Sequence, residues 1–262
     1  MMSIRIYQVD AFTDKLFRGN PAAVCPLDQW LPAETMQQIA MENNLAETAF
    51  FVKGKDRYPI RWFTPAVEVD LCGHATLASA YVIFHVFGCE GPVVEFDSAS
   101  GVLSVRRDGD DLTLNFPADT IEPARAPESL VRALGALPLE TYKGKSDFML
   151  VFGSQREIEE MAPDMSLLLR VPARGVIVTA RGDAVDFVSR FFAPQVGVPE
   201  DPVTGSAHTT LTPYWAKKLG KPELTAMQLS KRRGWLKCRP SGDRVEISGQ
   251  ARAYLSGTIE IE

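Results

Sequence analysis

Glu200-Asp201-Pro202-Val203-Thr204-Gly205-Ser206-Ala207-His208 is a polar turn that breaks into an apolar helix running to Lys218-Leu219-Gly220. A counterpart lies far upstream. Asp70-Leu71-Cys72-Gly73-His74-Ala75-Thr76 also follows a Phe-x-Pro strand end and opens an apolar helix, which ends at Gly88. A helix N-terminus presents unpaired N–H groups and about half a positive charge, so it holds anions without lysine or arginine, and glycine in the turn admits a ligand closely. Two such openings predict a doubled fold with one site between its halves, the two helix ends gripping a small carboxylate. Taken singly, each opening is a capped helix, with Thr204 or Ser206 as the N-cap of the second.

The doubling extends to the hairpins that follow. Gly101–Arg106 and Asp110–Asn115 align without a gap on Gly234–Arg239 and Asp243–Ser248, at a constant offset of 133. Phe63-Thr64-Pro65 pairs with Phe192-Ala193-Pro194, and Gly73 with Gly205 at an offset of 132. Pro117 to Pro127, with three prolines and alternating charge, reads as a linker. The expected domains are therefore 1–117 and 118–262. The last segment, about 251–262, alternates like a strand and is free to pair back onto the first domain.

Between these landmarks, Ile4–Val9 reads as a strand and Pro32–Asn43 as a helix with Met36, Ile39 and Ala40 on one face. Leu45–Val52 reads as a strand apolar on both faces except for Glu47, which shares a face with Leu45, Ala49 and Phe51. That carboxylate either pairs with a cation, for instance Arg61, or has its pKa raised and works as an acid or base near neutral pH. Strands are expected at Arg57–Thr64, Pro92–Ser98, Gly101–Arg107 and Leu112–Phe116, with a helix from about Ala75 to Phe87. The second half reads as a helix at Pro127–Gly135 and strands at Phe148–Val151, Gly175–Thr179 and Asp186–Phe192, with a loop over Ala193–Val203.

Composition narrows the partners. The 262 residues are 45% hydrophobic, and the net charge of −5 is spread over both signs. No basic stripe points to nucleic acid and no polybasic run to a membrane surface, so the expected partner is a small molecule. The longest apolar run, near Ala78–Phe87, is too short to span a bilayer. Met1 to Tyr7 goes straight into a strand without signal-peptide features, and the cytoplasm is the expected location. Cys25, Cys72, Cys89 and Cys238 are widely spaced and read as reduced thiols.

Several chemistries lack their patterns. Cys72-x-His74 with His208 offers metal-capable atoms but no ligand pairs at characteristic spacing, and no metal is expected. Ser206 and His208 lie too close in one helix for a catalytic triad, and no G-x-S-x-G elbow exists. Neither G-x-G-x-x-G nor a P-loop is present, so no nucleotide cofactor is expected. His74 reads as a capping or ligand-bonding residue, Asp201 by itself as an Asp-Pro turn, and His85 as structural.

With these residues in hand, the chain resembles the phenazine-biosynthesis (PhzF-like) isomerase family, whose fold is that of diaminopimelate epimerase. The resemblance runs through Gln8–Thr13, Gly19-Asn20-Pro21-Ala22-Ala23-Val24, Asn44-Leu45-Ala46-Glu47-Thr48-Ala49-Phe50, Arg61–Pro65, Leu71–Thr76 and Glu200–His208. It implies an α+β fold of two pseudo-symmetric domains, each a curved mixed sheet around a central helix, with the site in the interdomain cleft. It also implies a homodimer and no cofactor. The family's acid/base glutamate falls on Glu47, its C-G-H histidine on His74, and its Asp and Ser on Asp201 and Ser206. Gly73, Ala75, Thr204 and Gly205 complete the expected substrate-binding set. The implied reaction is a proton shift within a small carboxylate-bearing metabolite. Diaminopimelate-type epimerases use two thiols instead, and here Cys72 holds the first position while Thr204 holds the second. A binding or scaffold module that retains the fold is the reading from another class. Pro213-Tyr214-Trp215 after the second motif resembles the broad branch of the family, so the reaction type carries over and the phenazine substrate does not.

Overall fold

The computed structural model describes residues 2–261. Its contacts gather into two units: one runs to Asn115 and resumes at Ser248, and the other is Phe116–Ile247. No helix is long and apolar enough to cross a membrane.

In the first unit the strands follow the spatial order Ala251–Ile261, Met2–Ala11, Asn20–Leu27, Glu47–Val52, Tyr58–Phe63, Val93–Ser98, Gly101–Asp108 and Asp111–Pro117. Neighbours are antiparallel except at two places, Asn20–Leu27 beside Glu47–Val52 and Tyr58–Phe63 beside Val93–Ser98. The helix Gly73–Tyr81 packs against five of these strands, Met2–Ala11, Asn20–Leu27, Glu47–Val52, Gly101–Asp108 and Ala251–Ile261. His74 through Ala80 are all buried, as expected of a helix apolar on every side. Its hydroxyls are satisfied internally, Thr76 donating to the Cys72 carbonyl and Ser79 to that of Ala75, so they need no outside partner. The helix starts two residues before the expected Ala75. It ends in a widened π-turn at Val82–Val86.

In the second unit the order is Glu122–Pro123, Glu140–Lys143, Asp147–Val151, Gly175–Arg181, Phe187–Ala193, Leu224–Gln228 and Gly234–Ser241. Leu130, Leu150, Phe152, Ile158, Val178 and Phe192 form the core between this sheet and the short helices Glu128–Leu134, Gln155–Glu160 and Met165–Leu168. Helix Gly205–Leu219 contains Pro213, whose missing N–H leaves the Thr209 carbonyl without its helical donor. The Asp119 N–H takes that carbonyl at 3.3 Å, which is why the proline is accommodated.

Three segments differ from the sequence expectation. Part of the supposed loop Ala193–Val203 is a strand, Val198–Asp201, pairing with Phe187–Ala193. Glu140–Lys143 and Leu224–Gln228 are also strands. All are five residues or fewer, too short for their own periodicity to reveal them, and the neighbouring strand fixes them.

The backbone repeats with the sequence. Gly109 (φ 60°) and Gly242 (φ 64°) turn the two hairpins at the offset of 133 seen in their sequences. Gly88 (φ 69°) and Gly220 (φ 65°) follow the two buried helices at the offset of 132 that relates Gly73 to Gly205.

Candidate active site

The chain brings Glu47 to its place in steps. Helix Ala33–Asn43 ends at Asn44, left-handed at φ 48°, whose N–H closes on the Ala40 carbonyl. The chain then enters strand Glu47–Val52, in register with Asn20–Leu27 so that Glu47 lies opposite Ala22. Glu47 is thus the first residue of its strand, with an 84% buried side chain followed on the same face by fully buried Ala49 and Phe51. Arg61 does not reach it; that guanidinium makes a bidentate pair with Glu68 at 2.6 and 2.7 Å.

The partner of Glu47 is His74. Glu47 Oε2 lies 3.1 Å from His74 Nε2, and the ring is buried. On the ring's other side, Nδ1 is 3.1 Å from Asn20 Nδ2 and 3.6 Å from Cys72 Sγ. Burial opposes the charged imidazolium, but Cys72 and Glu47 together outweigh it and raise the His74 pKa well above 6.5. Burial, aided by Glu47, also pushes the Cys72 thiol up, so Cys72 stays protonated and the carboxylate is the anion that holds His74 charged.

Oxygen, nitrogen and sulfur atoms of Glu47, His74 and Cys72 lie within 4.8 Å of one another, the one such set of possible metal ligands among the described residues. The spacing argument against metal could not include Glu47, because it arrives from a different strand. Both nitrogens of His74 are already in contact with other groups, so a metal would have to displace Asn20 or Glu47.

In the second unit, Thr204 holds the N-cap position, but its hydroxyl does not cap the helix; it donates to Asp201 Oδ2 at 2.6 Å. Gln228, fully buried, locks this turn. Its Oε1 accepts the Thr204 N–H at 2.8 Å, and its Nε2 donates to the Asp201 carbonyl at 2.7 Å. Ser206 receives a hydrogen bond from Arg174 at 3.1 Å, while the same guanidinium pairs with Asp147. Arg174 thereby puts a half-exposed cation beside the start of helix Gly205–Leu219, adding to its N-terminal field. His208 is neutral: its Nδ1 donates to the Thr204 carbonyl at 2.8 Å, and burial pushes its pKa down to about 4.

The expected residues therefore form two groups. Glu47, Gly73, His74 and Ala75 lie in the first unit and Asp201, Thr204, Gly205 and Ser206 in the second. Sequence reasoning assigned no role to Asn20, Gln228 or Arg174. Asn20 stood inside a quoted motif, and Gln228 was a lone amide ending an apolar run, which is the signal that could have found it. Arg174 precedes a strand and carried no signal.

The family model for phenazine biosynthesis-like proteins (PhzC-PhzF) matches residues 9–257. An uncharacterized isomerase of Pseudomonas aeruginosa is 54% identical over 260 residues, covering 99% of this chain and all of its own. The crystal structure of a PhzF-family phenazine biosynthesis protein from Enterococcus faecalis superposes with a TM-score of 0.96 at 45% identity, over 99% of this chain and 100% of that one. The α+β fold alone is shared with a hydroxyproline epimerase from Agrobacterium vitis, with a TM-score of 0.62 at 11% identity over 98% of this chain and 92% of that one. The chain belongs to the phenazine biosynthesis-like (PhzC-PhzF) family.

Proposed function

We propose that the protein is a cofactor-independent isomerase that moves a proton between carbons of a small, carboxylate-bearing metabolite. The observation that carries this reading is the contact between Glu47 Oε2 and His74 Nε2 at 3.1 Å, a largely buried carboxylate beside a charged, buried imidazole. Glu47 takes a proton from substrate carbon, becoming the neutral acid while the electron pair is delocalised in the substrate. The same proton is returned at another carbon, so the net change is isomerisation. His74 holds Glu47 in place and stabilises developing negative charge. Asp201 orients the substrate, and Gly73, Ala75, Thr204, Gly205 and Ser206 bind its carboxylate through N–H and hydroxyl donors at the two helix openings. The protein acts in the cytoplasm, a setting that its four unpaired cysteines favour, and as a homodimer.

Epimerisation at a single carbon is the second reading. It is favoured by Cys72, whose Sγ stands 3.6 Å from His74 Nδ1, and opposed by Thr204 in the other thiol position. Incubation of small cyclic and amino carboxylates in heavy water tests both. The first reading expects substrate-dependent deuterium uptake that disappears in Glu47→Gln and survives iodoacetamide. Full activity in a folded Glu47→Gln variant overturns it, and loss of activity on alkylation of Cys72 transfers the chemistry to the thiol.

A further inference from the structure

Strand Ala251–Ile261 pairs with Met2–Ala11 and lies at the outer edge of the first unit's strand order. Ala253, Tyr254, Leu255, Ser256, Gly257 and Thr258 are all exposed, on both faces of the strand, and none is charged. A long, uncharged, β-prone edge of this kind invites pairing with another strand, and proteins that remain monomeric blunt it with charge, proline or a covering loop. Beside it stands Phe17, 68% exposed and held at φ 67°, its ring edge-to-face with Tyr254 at 5.6 Å. Holding a bulky residue in that conformation only to expose its ring is unfavourable unless something covers it.

The charges at the ends of the stretch identify the occupant. Arg252 lies on one flank, donating to the backbone carbonyls of Asp14 and Ala251 and to no carboxylate. Glu260 lies on the other, exposed and without an ion-pair partner among the described residues. Both are four residues from Ser256. If two copies pair antiparallel about a twofold axis at Ser256, Arg252 of each faces Glu260 of the other, twice by symmetry. Tyr254 then faces Thr258, an aromatic with a β-branched residue, and Leu255 faces Gly257. We propose that strand Ala251–Ile261 is the dimer surface, pairing edge to edge with the same strand of a second copy in the register that sets Ser256 opposite Ser256. This gives a location to the homodimer proposed above and stands whatever reaction the protein catalyses.

Cross-linking tests the register in the full chain. Cys89→Ser removes the one thiol that is not buried. In that background Ser256→Cys sets two thiols across the twofold axis with Cα atoms about 4.5–5.5 Å apart, within disulfide range, so a covalent dimer forms under mild oxidation. Thr258→Cys separates them by about four residues of strand, roughly 13 Å, and forms none. In sedimentation equilibrium, Arg252→Glu or Glu260→Arg alone weakens the wild-type dimer by about tenfold, and the two together restore it to within about threefold. Equal cross-linking at both positions or at neither, or a double variant no tighter than the singles, overturns the surface while leaving a dimer elsewhere. A wild type that is monomeric at tens of micromolar overturns the surface and the dimer together.

Discussion

Gln228 and Thr204 are joined twice, through Thr204 N–H to Gln228 Oε1 at 2.8 Å and through Gln228 Nε2 to Thr204 Oγ1 at 3.1 Å, with no solvent reaching the amide. One buried side chain thus fixes the backbone at the start of helix Gly205–Leu219. Replacing it with leucine keeps the volume and leaves the Thr204 N–H and Asp201 carbonyl without their partner. Gln228→Leu is expected to cost about 3 kcal/mol, seen as a fall in Tm of roughly 10 °C. An unchanged melting curve would show that the turn is held by its neighbours alone.

The charge on His74 depends on Glu47. In Glu47→Gln the His74 pKa should fall, because the carboxylate is gone while the burial that opposes the imidazolium remains. With three histidines in the chain, imidazole NMR can follow each one. The raised His74 pKa contributes stability that is full below 6.5 and lost as pH rises through the folded-state pKa; Glu47→Gln should flatten that alkaline loss. A His74 titration identical in the variant would remove Glu47 as the cause.

His208 works in the opposite sense. Its folded pKa of about 4 lies below the ordinary 6.5, so the unfolded chain binds the proton first as pH falls. Stability is present above 6.5 and is lost progressively between about 6.5 and about 4, amounting to about 3 kcal/mol over that window. Denaturant midpoints measured against pH should show this acid slope, and it should be shallower in His208→Gln whatever that variant's absolute stability. Equal slopes would assign acid sensitivity to the carboxylates.

Gly19 adopts φ +64°, and a Cβ there would stand 2.1 Å from the Ala11 carbonyl oxygen. Gly19→Ala must therefore move backbone, at an expected cost above about 2 kcal/mol. Because Asn20 follows directly and touches His74, the displacement should also alter the His74 titration. A stable variant with a native His74 signal would show that Asn20 is positioned from elsewhere.

What the sequence by itself determined was local and periodic. The two glycine-led helix openings, the two hairpins and their offset were all legible, because turns and caps are set by the residues within them. Glu47 was conspicuous for a similar reason, a carboxylate in an apolar strand pattern. Its partner was not legible: Arg61 is closer in sequence, yet Glu68 takes Arg61, and the strand register delivers Glu47 to His74. Asn20, Gln228 and Arg174 acquire their roles only through strands and loops distant in the chain. A side chain's partner is decided by which strands pair and in what register, a sum over many long-range contacts that no single stretch of sequence contains.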